Sequence, residues 1–341
     1  MSLRATYLGL ELTNPLIIGA SPLTADLDTI RALEDAGAAA FVLPSLFEEQ
    51  LLQEQLSMVH AIDHPPEGFA EAASFFTEPP GLTLGSERYL AHLARTVEAV
   101  DVPVFASLNG TTQAGWVDYA TRMEQAGASG IELNLFNVAT DPHLSAAQIE
   151  QQALRLVEAV RSRVRVPLAL KLSPFYTSLP NLAQRFGELG VDGLVLFNRL
   201  YQPDIEPETQ RLFRSHVPDP LELALRLHWV GVLFGRFPGS LAVTGGACEA
   251  RDVIKATMAG ASAVQMVSAI LREGPAHVTN VLTGLSQWLE VNDFASLDQM
   301  RGSLSMQRCP DPSVYTRDNY IQLLQTWPRE PSPESEVDRQ A

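Results

Sequence analysis

Cysteine is nearly missing from this chain of 341 residues, where Cys248 and Cys309 are the only two. Two thiols are too few for a disulfide framework, or for a cysteine-ligated iron–sulfur cluster within the chain. A reducing compartment suits that composition, so a cytoplasmic protein is expected. Lysine is equally scarce: Lys171 and Lys255 stand against a background of arginine, which makes each lysine position worth inspecting. Basic residues as a class are outnumbered, 24 to 40 acidic, for a formal charge of −16. Such a balance disfavours nucleic acid and anionic membrane as partners. Long apolar runs are absent too. The start, MSLRATYLGLELTNPLIIGA, has no basic segment followed by a continuous apolar stretch of signal-peptide length. No later run reaches membrane-spanning length. No metal site is expected.

What is present is a hydrophobic share of 46%, enough for a large core, and it is arranged with a clear rhythm. Apolar, β-rich runs alternate with helical patterns, the signature of βα units and a parallel sheet. The runs are Leu16 to Ala20, Ala39 to Leu43, Val104 to Leu108, Gly130 to Leu135, Leu168 to Leu172, Gly193 to Phe197, Leu241 to Val243 and Ala263 to Val267. Between them lie helical stretches such as Thr24 to Ala36, Ala114 to Ala126, Ser145 to Ser162 and Leu179 to Leu189. Eight such units predict an α/β fold, a single (β/α)8 TIM barrel over residues 1–328. Leu3 to Leu12 reads as a short hairpin with Gly9 near its turn, plugging the N-terminal end. Two insertions, His60 to Gly85 and Arg199 to Pro220, follow strand ends and are expected to cover the C-terminal mouth. Residues 329–341, REPSPESEVDRQA, are polar and proline-containing and are expected to be a disordered tail.

The segment Ser240 to Gly274, SLAVTGGACEARDVIKATMAGASAVQMVSAILREG, reads as two consecutive strand–loop–helix units ending in small residues. Backbone amides at Thr244, Gly245 and Gly246, and at Val267 and Ser268, can converge on a phosphate there. Ordinary tight βα turns are the plainer alternative. Lys171 ends an apolar strand, LALKL, so its ammonium projects toward the mouth. It can stabilise negative charge, pair with a barrel carboxylate, or form an imine as in an aldolase. Asn109, Asn134 and Asn198 end the third, fourth and sixth strands. Their amides suit a ring edge that both donates and accepts, and bracing a loop is the other reading.

In order and spacing these segments resemble the dihydroorotate dehydrogenase family, the FMN-dependent flavoproteins of pyrimidine synthesis, and particularly its soluble class 1 branch. The likeness runs from about Leu8 to Gln307 through LGLELTNPLIIGAS, IELNL, PLALKLSP, LVLFN and SLDQMRGSL. It implies FMN as cofactor, with Ala20, Ser21, Ser45, Asn109 and Lys171 against the flavin and Thr244, Gly245, Gly246, Val267 and Ser268 at its phosphate. It implies hydride transfer between a CH–CH/C=C substrate and flavin N5, with Asn134 and Asn198 binding a small, orotate-like molecule. A homodimer follows from the same resemblance, while the two cysteines and the lack of a GxGxxG fingerprint leave electrons to pass through the mouth or to a redox partner subunit.

Departures cluster on the substrate side. Asn137 occupies the position of the family's catalytic cysteine, and an amide is no general base near neutral pH. Asp141 or His143 could replace it if their loop folds inward. Thr83 and Ala139 stand where orotate-binding asparagines are expected, and Pro44 replaces the family's first lysine. Arg199 offers a different anion partner, or else pairs with an acid. Three alternatives stay open: an FMN barrel with another substrate or an electron-transfer role, a Schiff-base lyase using Lys171, and a non-catalytic flavin-binding protein.

Overall fold

The computed structural model describes residues 2–48, 85–110, 112–199, 203–214 and 221–326. A hairpin of β1 (Ala5–Tyr7) and β2 (Leu10–Leu12) comes first, turning at Leu8 and Gly9, both at positive φ. Eight parallel strands follow: β3 (Leu16–Ile18), β4 (Ala40–Phe47), β5 (Val104–Asn109), β6 (Gly130–Leu135), β7 (Leu168–Leu172), β8 (Gly193–Leu196), β11 (Ser240–Thr244) and β12 (Ala263–Met266). They close in a ring, with β12 pairing back onto β3. All eight apolar runs read in the sequence are therefore barrel strands, and the fold is a (β/α)8 barrel.

The surrounding helices are α1 (Leu27–Asp35), α2 (Ser86–Ala99), α3 (Gln113–Gln125), α4 (Ala146–Arg161), α5 (Leu179–Glu188), α6 (Leu221–Leu233), α7 (Ala250–Ala259), α8 (Ser268–Glu273) and α9 (Ala276–Val291). Each lays an apolar stripe on the sheet. In α5 the buried residues Leu179, Leu182, Ala183 and Phe186 recur at helical spacing. Short α10 (Leu297–Met300) and the exposed α11 (Arg317–Thr326) end the described chain. No helix among the described residues is long and apolar enough to cross a membrane.

Strand residues alternate between this outer core and the barrel lumen. The lower lumen is apolar: Ile17, Val42, Phe105, Ala169, Val195, Ala242 and Ala263 pack with Tyr7, Leu8 and Leu12 of the hairpin. Leu8 covers Gly193 so closely that a Cβ there would collide with it. Tyr7 stands edge-on to Phe105, with ring centroids 5.7 Å apart. The expected plug at the N-terminal end is thus formed, and it leaves the opposite end for chemistry.

Strand β4 runs further than the apolar run Ala39 to Leu43 foretold, because it passes through Pro44 by a bulge. Val42 pairs with Phe105 but Ser45 pairs with Ser107, so three steps on β4 face two on β5. Proline has no N–H to give the ladder, and a bulge is where a strand tolerates it. Ser107's backbone finds a substitute partner in Tyr89 of α2, whose hydroxyl accepts from the Ser107 N–H (2.9 Å) and donates to its carbonyl (3.2 Å).

Of the two insertions, residues 60–84 lie outside the described residues, as do 200–202 and 215–220. The described part of the second forms an antiparallel pair, β9 (Pro203–Glu206) and β10 (Arg211–Arg214). The expected tail, 329–341, is likewise outside.

Candidate functional site

Above the apolar plug the lumen turns polar. Glu132 and Asn134 are two residues apart on β6 and so share its inner face, and β7 sets Lys171 beside Asn134 in register. Lys171 Nζ donates to Glu132 Oε1 at 3.1 Å, and Gln265 Nε2 of β12 donates to Glu132 Oε2 at 2.5 Å. Glu132 and Gln265 are each 2% exposed. Gln265 Oε1 is buried with no hydrogen-bond partner. Burial, and then the Glu132 charge, push the Tyr7 phenol well above its usual range from below.

Beside this cluster the tips of β11 and β12 meet. Gly245 and Gly246 hold φ of +89° and +80°. A Cβ on Gly246 would lie 2.6 Å from the Leu223 backbone nitrogen, and one on Gly245 would lie 2.8 Å from the Arg226 guanidinium. Only glycine fits this close packing of the turn on α6. Arg226 is 4% exposed and fastens the turn from beneath. Its Nε donates to the Thr244 carbonyl at 2.5 Å, and its Nη1 donates to the Glu222 carbonyl at 2.6 Å. The N–H groups of Gly245, Gly246 and Ser268 have no acceptor among the described residues.

Two cavities open at this mouth. The narrower, about 200 Å³, is bounded by Lys171, Gln265, Thr244, Gly245, Gly246, Val267, Ser268, Ala20, Asn198, Arg199 and Glu222, together with Phe197 and Ala247. The wider, about 720 Å³, is bounded by Asn109, Asn134 and Asn137 with side chains of α3 and α4. Asn198 Nδ2 donates to Asn134 Oδ1 at 2.5 Å, so one amide pair links the rims of both.

Most residues singled out in the sequence thus gather at these two cavities, with several exceptions. Ser21 Oγ donates to the Gly19 carbonyl at 3.0 Å, Ser45 Oγ shares a 2.7 Å hydrogen bond with Ser107 Oγ, and neither lines a cavity. Arg199 reaches the narrow cavity but pairs with Glu222, Nε to Oε1, at 3.4 Å. Asp141 and His143 are exposed, and the His143 N–H donates to the Asp141 carboxylate at 2.9 Å. Thr83 lies outside the described residues. Glu132, Gln265 and Arg226 were missed. A signal was available: each is a polar residue in a mostly apolar strand or helix, in IELNL, AVQM and LALRLHWV.

A polar lumen, a glycine turn fastened by an arginine, and free amides beside a paired lysine together suit a bound anion carrying a polar ring. The chain is similar to dihydroorotate dehydrogenases. A protein of Aeropyrum pernix, provisionally named dihydroorotate dehydrogenase A (fumarate), is 27% identical over 86% of this chain and 94% of its own length. Catalytic subunits of dihydroorotate dehydrogenase B (NAD(+)) from Methanothermobacter thermautotrophicus and Pelobacter propionicus are 26% and 25% identical. They cover 88% and 87% of this chain, and 97% and 96% of their own. No protein-family profile matches the chain. The resemblance read in the sequence is borne out by these relatives.

Proposed function

We propose that the chain is an FMN-dependent oxidoreductase of the dihydroorotate dehydrogenase type, acting on a CH–CH or C=C bond. The observation that carries this reading is the convergence, on one cavity, of Lys171, the unpartnered Gln265 oxygen and the free amides of Gly245, Gly246 and Ser268. These groups fit a phosphorylated flavin: amides for the phosphate, a cation for the reduced ring, and an acceptor for a ring N–H. FMN, when bound, supplies hydride exchange at N5.

The remaining work falls to the chain. Gly245, Gly246 and Ser268 hold the phosphate end, and Arg226 keeps their turn in shape. Lys171 presents positive charge where a reduced ring becomes anionic, with Glu132 fixing its direction. Asn134 and Asn198 orient the substrate from the shared rim. Asn137 lines the wide cavity without offering a base. No carboxylate, thiol or imidazole lines that cavity among the described residues. A lyase reading through Lys171 is disfavoured by the 3.1 Å pair with Glu132, because imine formation needs the side-chain nitrogen free to attack a carbonyl and not held on a buried carboxylate. A cytoplasmic homodimer, passing electrons to a partner chain, completes the proposal.

Purified full-length protein tests it. Yellow protein with bound FMN is expected, and a colourless preparation that also fails to bind added FMN would refute the reading. Anaerobic dihydroorotate then separates the family reaction from its relatives, since bleaching of the flavin marks dihydroorotate as substrate. Unbleached flavin leaves the FMN oxidoreductase but rejects that substrate.

A further inference from the structure

Glu132 holds two side chains that border the narrow cavity, Lys171 and Gln265, and it holds each by a nitrogen. An ionised carboxylate only accepts hydrogen bonds, so whatever meets it must turn an N–H its way. Lys171 spends one of its N–H groups at 3.1 Å and keeps the others. For Gln265 the consequence is sharper. The two ends of a glutamine amide are alike in shape and opposite in polarity, so packing alone does not tell them apart. Glu132 does, by taking Nε2 at 2.5 Å.

The oxygen is thereby turned away from Glu132. Gln265 Oε1 is buried without a partner among the described residues, and it lies beside the end of β3, where a Cβ on Gly19 would come within 3.5 Å of it. Ala20, the next residue, borders the same narrow cavity as Lys171 and Gln265. A buried acceptor left unpaired is costly, and its presence in an otherwise satisfied cluster points to a ligand donor. One carboxylate thus presents a donor from β7 and an acceptor from β12 to the same space. A ring edge that meets both carries a carbonyl next to an N–H.

We propose that Glu132 is the positioning residue that sets this polarity, so that the cavity selects a ring whose –CO–NH– edge bears a free N–H. Resting on the FMN reading for the identity of the ring, this assigns the flavin C2 oxygen to Lys171 and the N3–H to Gln265. Glu132 touches neither ring atom and acts only through the two side chains it holds.

The test uses full-length protein stripped of flavin and two probes, FMN and 3-methyl-FMN, in which a methyl group replaces the N3 hydrogen. Affinity is read by calorimetry. The parent is expected to prefer FMN by about tenfold or more, the methylated ring having no N–H to give. Gln265→Met is expected to weaken FMN and leave 3-methyl-FMN nearly unchanged, so that the preference vanishes. Glu132→Gln keeps the shape but can donate to the Gln265 oxygen, which lets that amide turn over, and the preference is expected to fall below about threefold. A purely structural Glu132 would weaken both flavins together and leave their ratio alone.

Equal binding of the two flavins by the parent overturns the proposal while keeping the FMN oxidoreductase. So does a preference that survives in Glu132→Gln. Should that variant fail to fold, a preference that survives in Gln265→Met is equally fatal. Binding of neither flavin by the parent refutes the FMN reading and this proposal together.

Discussion

Glu132 and Lys171 face each other inside the barrel with side chains only 2% and 11% exposed. Two charges removed from water lose hydration, and their mutual attraction restores it only while both are present. Removing one leaves the other stranded. Glu132→Leu alone, or Lys171→Met alone, is therefore expected to cost about 3–5 kcal/mol of stability. The double variant is expected to recover most of that loss, because it strands no charge. Urea unfolding of the four proteins gives the coupling directly, and additive losses would show that the pair is not a structural unit. Lys171→Met and the double variant should both lose FMN affinity, since each removes the cation that faces the cavity. A residue of this kind is expensive to bury for stability alone, which is why the pair reads as part of the site.

The element that departs furthest from its sequence pattern is β4. An apolar run that meets Pro44 reads as a strand that has ended, yet β4 continues to Phe47 because the bulge gives the proline a place and Tyr89 serves the backbone of Ser107. Tyr89→Phe keeps the packing and removes both hydrogen bonds, leaving a buried N–H and carbonyl at Ser107 without that partner. A loss of about 1–3 kcal/mol is expected, measured as a lower urea midpoint with FMN affinity unchanged. An unchanged midpoint would mean that Ser107 has found another partner. The same comparison shows what a sequence reveals at this scale. Seven of the strands match their apolar runs within two residues at each end, because a strand buried on both faces must be apolar throughout. The turn at Gly245 and Gly246 was legible for a similar reason, since glycine at positive φ leaves a mark in the chain. Glu132 and Gln265 stand out in the sequence as polar residues in apolar strands, but their partnership was not legible, because it is a cross-barrel contact between β6 and β12, 133 residues apart. No local period encodes that distance.

At the scale of the molecule, tyrosines stand at three levels of the barrel: Tyr7 buried in the plug below, Tyr89 buried on the outer wall and Tyr176 half-buried at the mouth. Tyr7 belongs to the hairpin plug and Tyr89 to the seam between β4 and β5, and burial pushes both phenols well above the ordinary value of 10.0. Tyr176 at the mouth is pushed up to about 12. The sign follows from linkage: the fold favours the protonated phenol, so the folded chain keeps protons that the unfolded chain releases once pH exceeds 10. These groups contribute fully to stability below that value, and the contribution is lost as pH rises toward the folded values. Each adds a slope of up to about 1.4 kcal/mol per pH unit. The expected curve of unfolding free energy is thus free of any tyrosine-driven fall between pH 7 and 9 and declines steeply from pH 10 to 12. Tyr89→Phe removes one of the titrating groups, so its curve should start lower and fall less steeply. Parallel decline in the two proteins would show that alkaline unfolding is driven by overall charge, which a chain at −16 already carries, and not by these buried phenols.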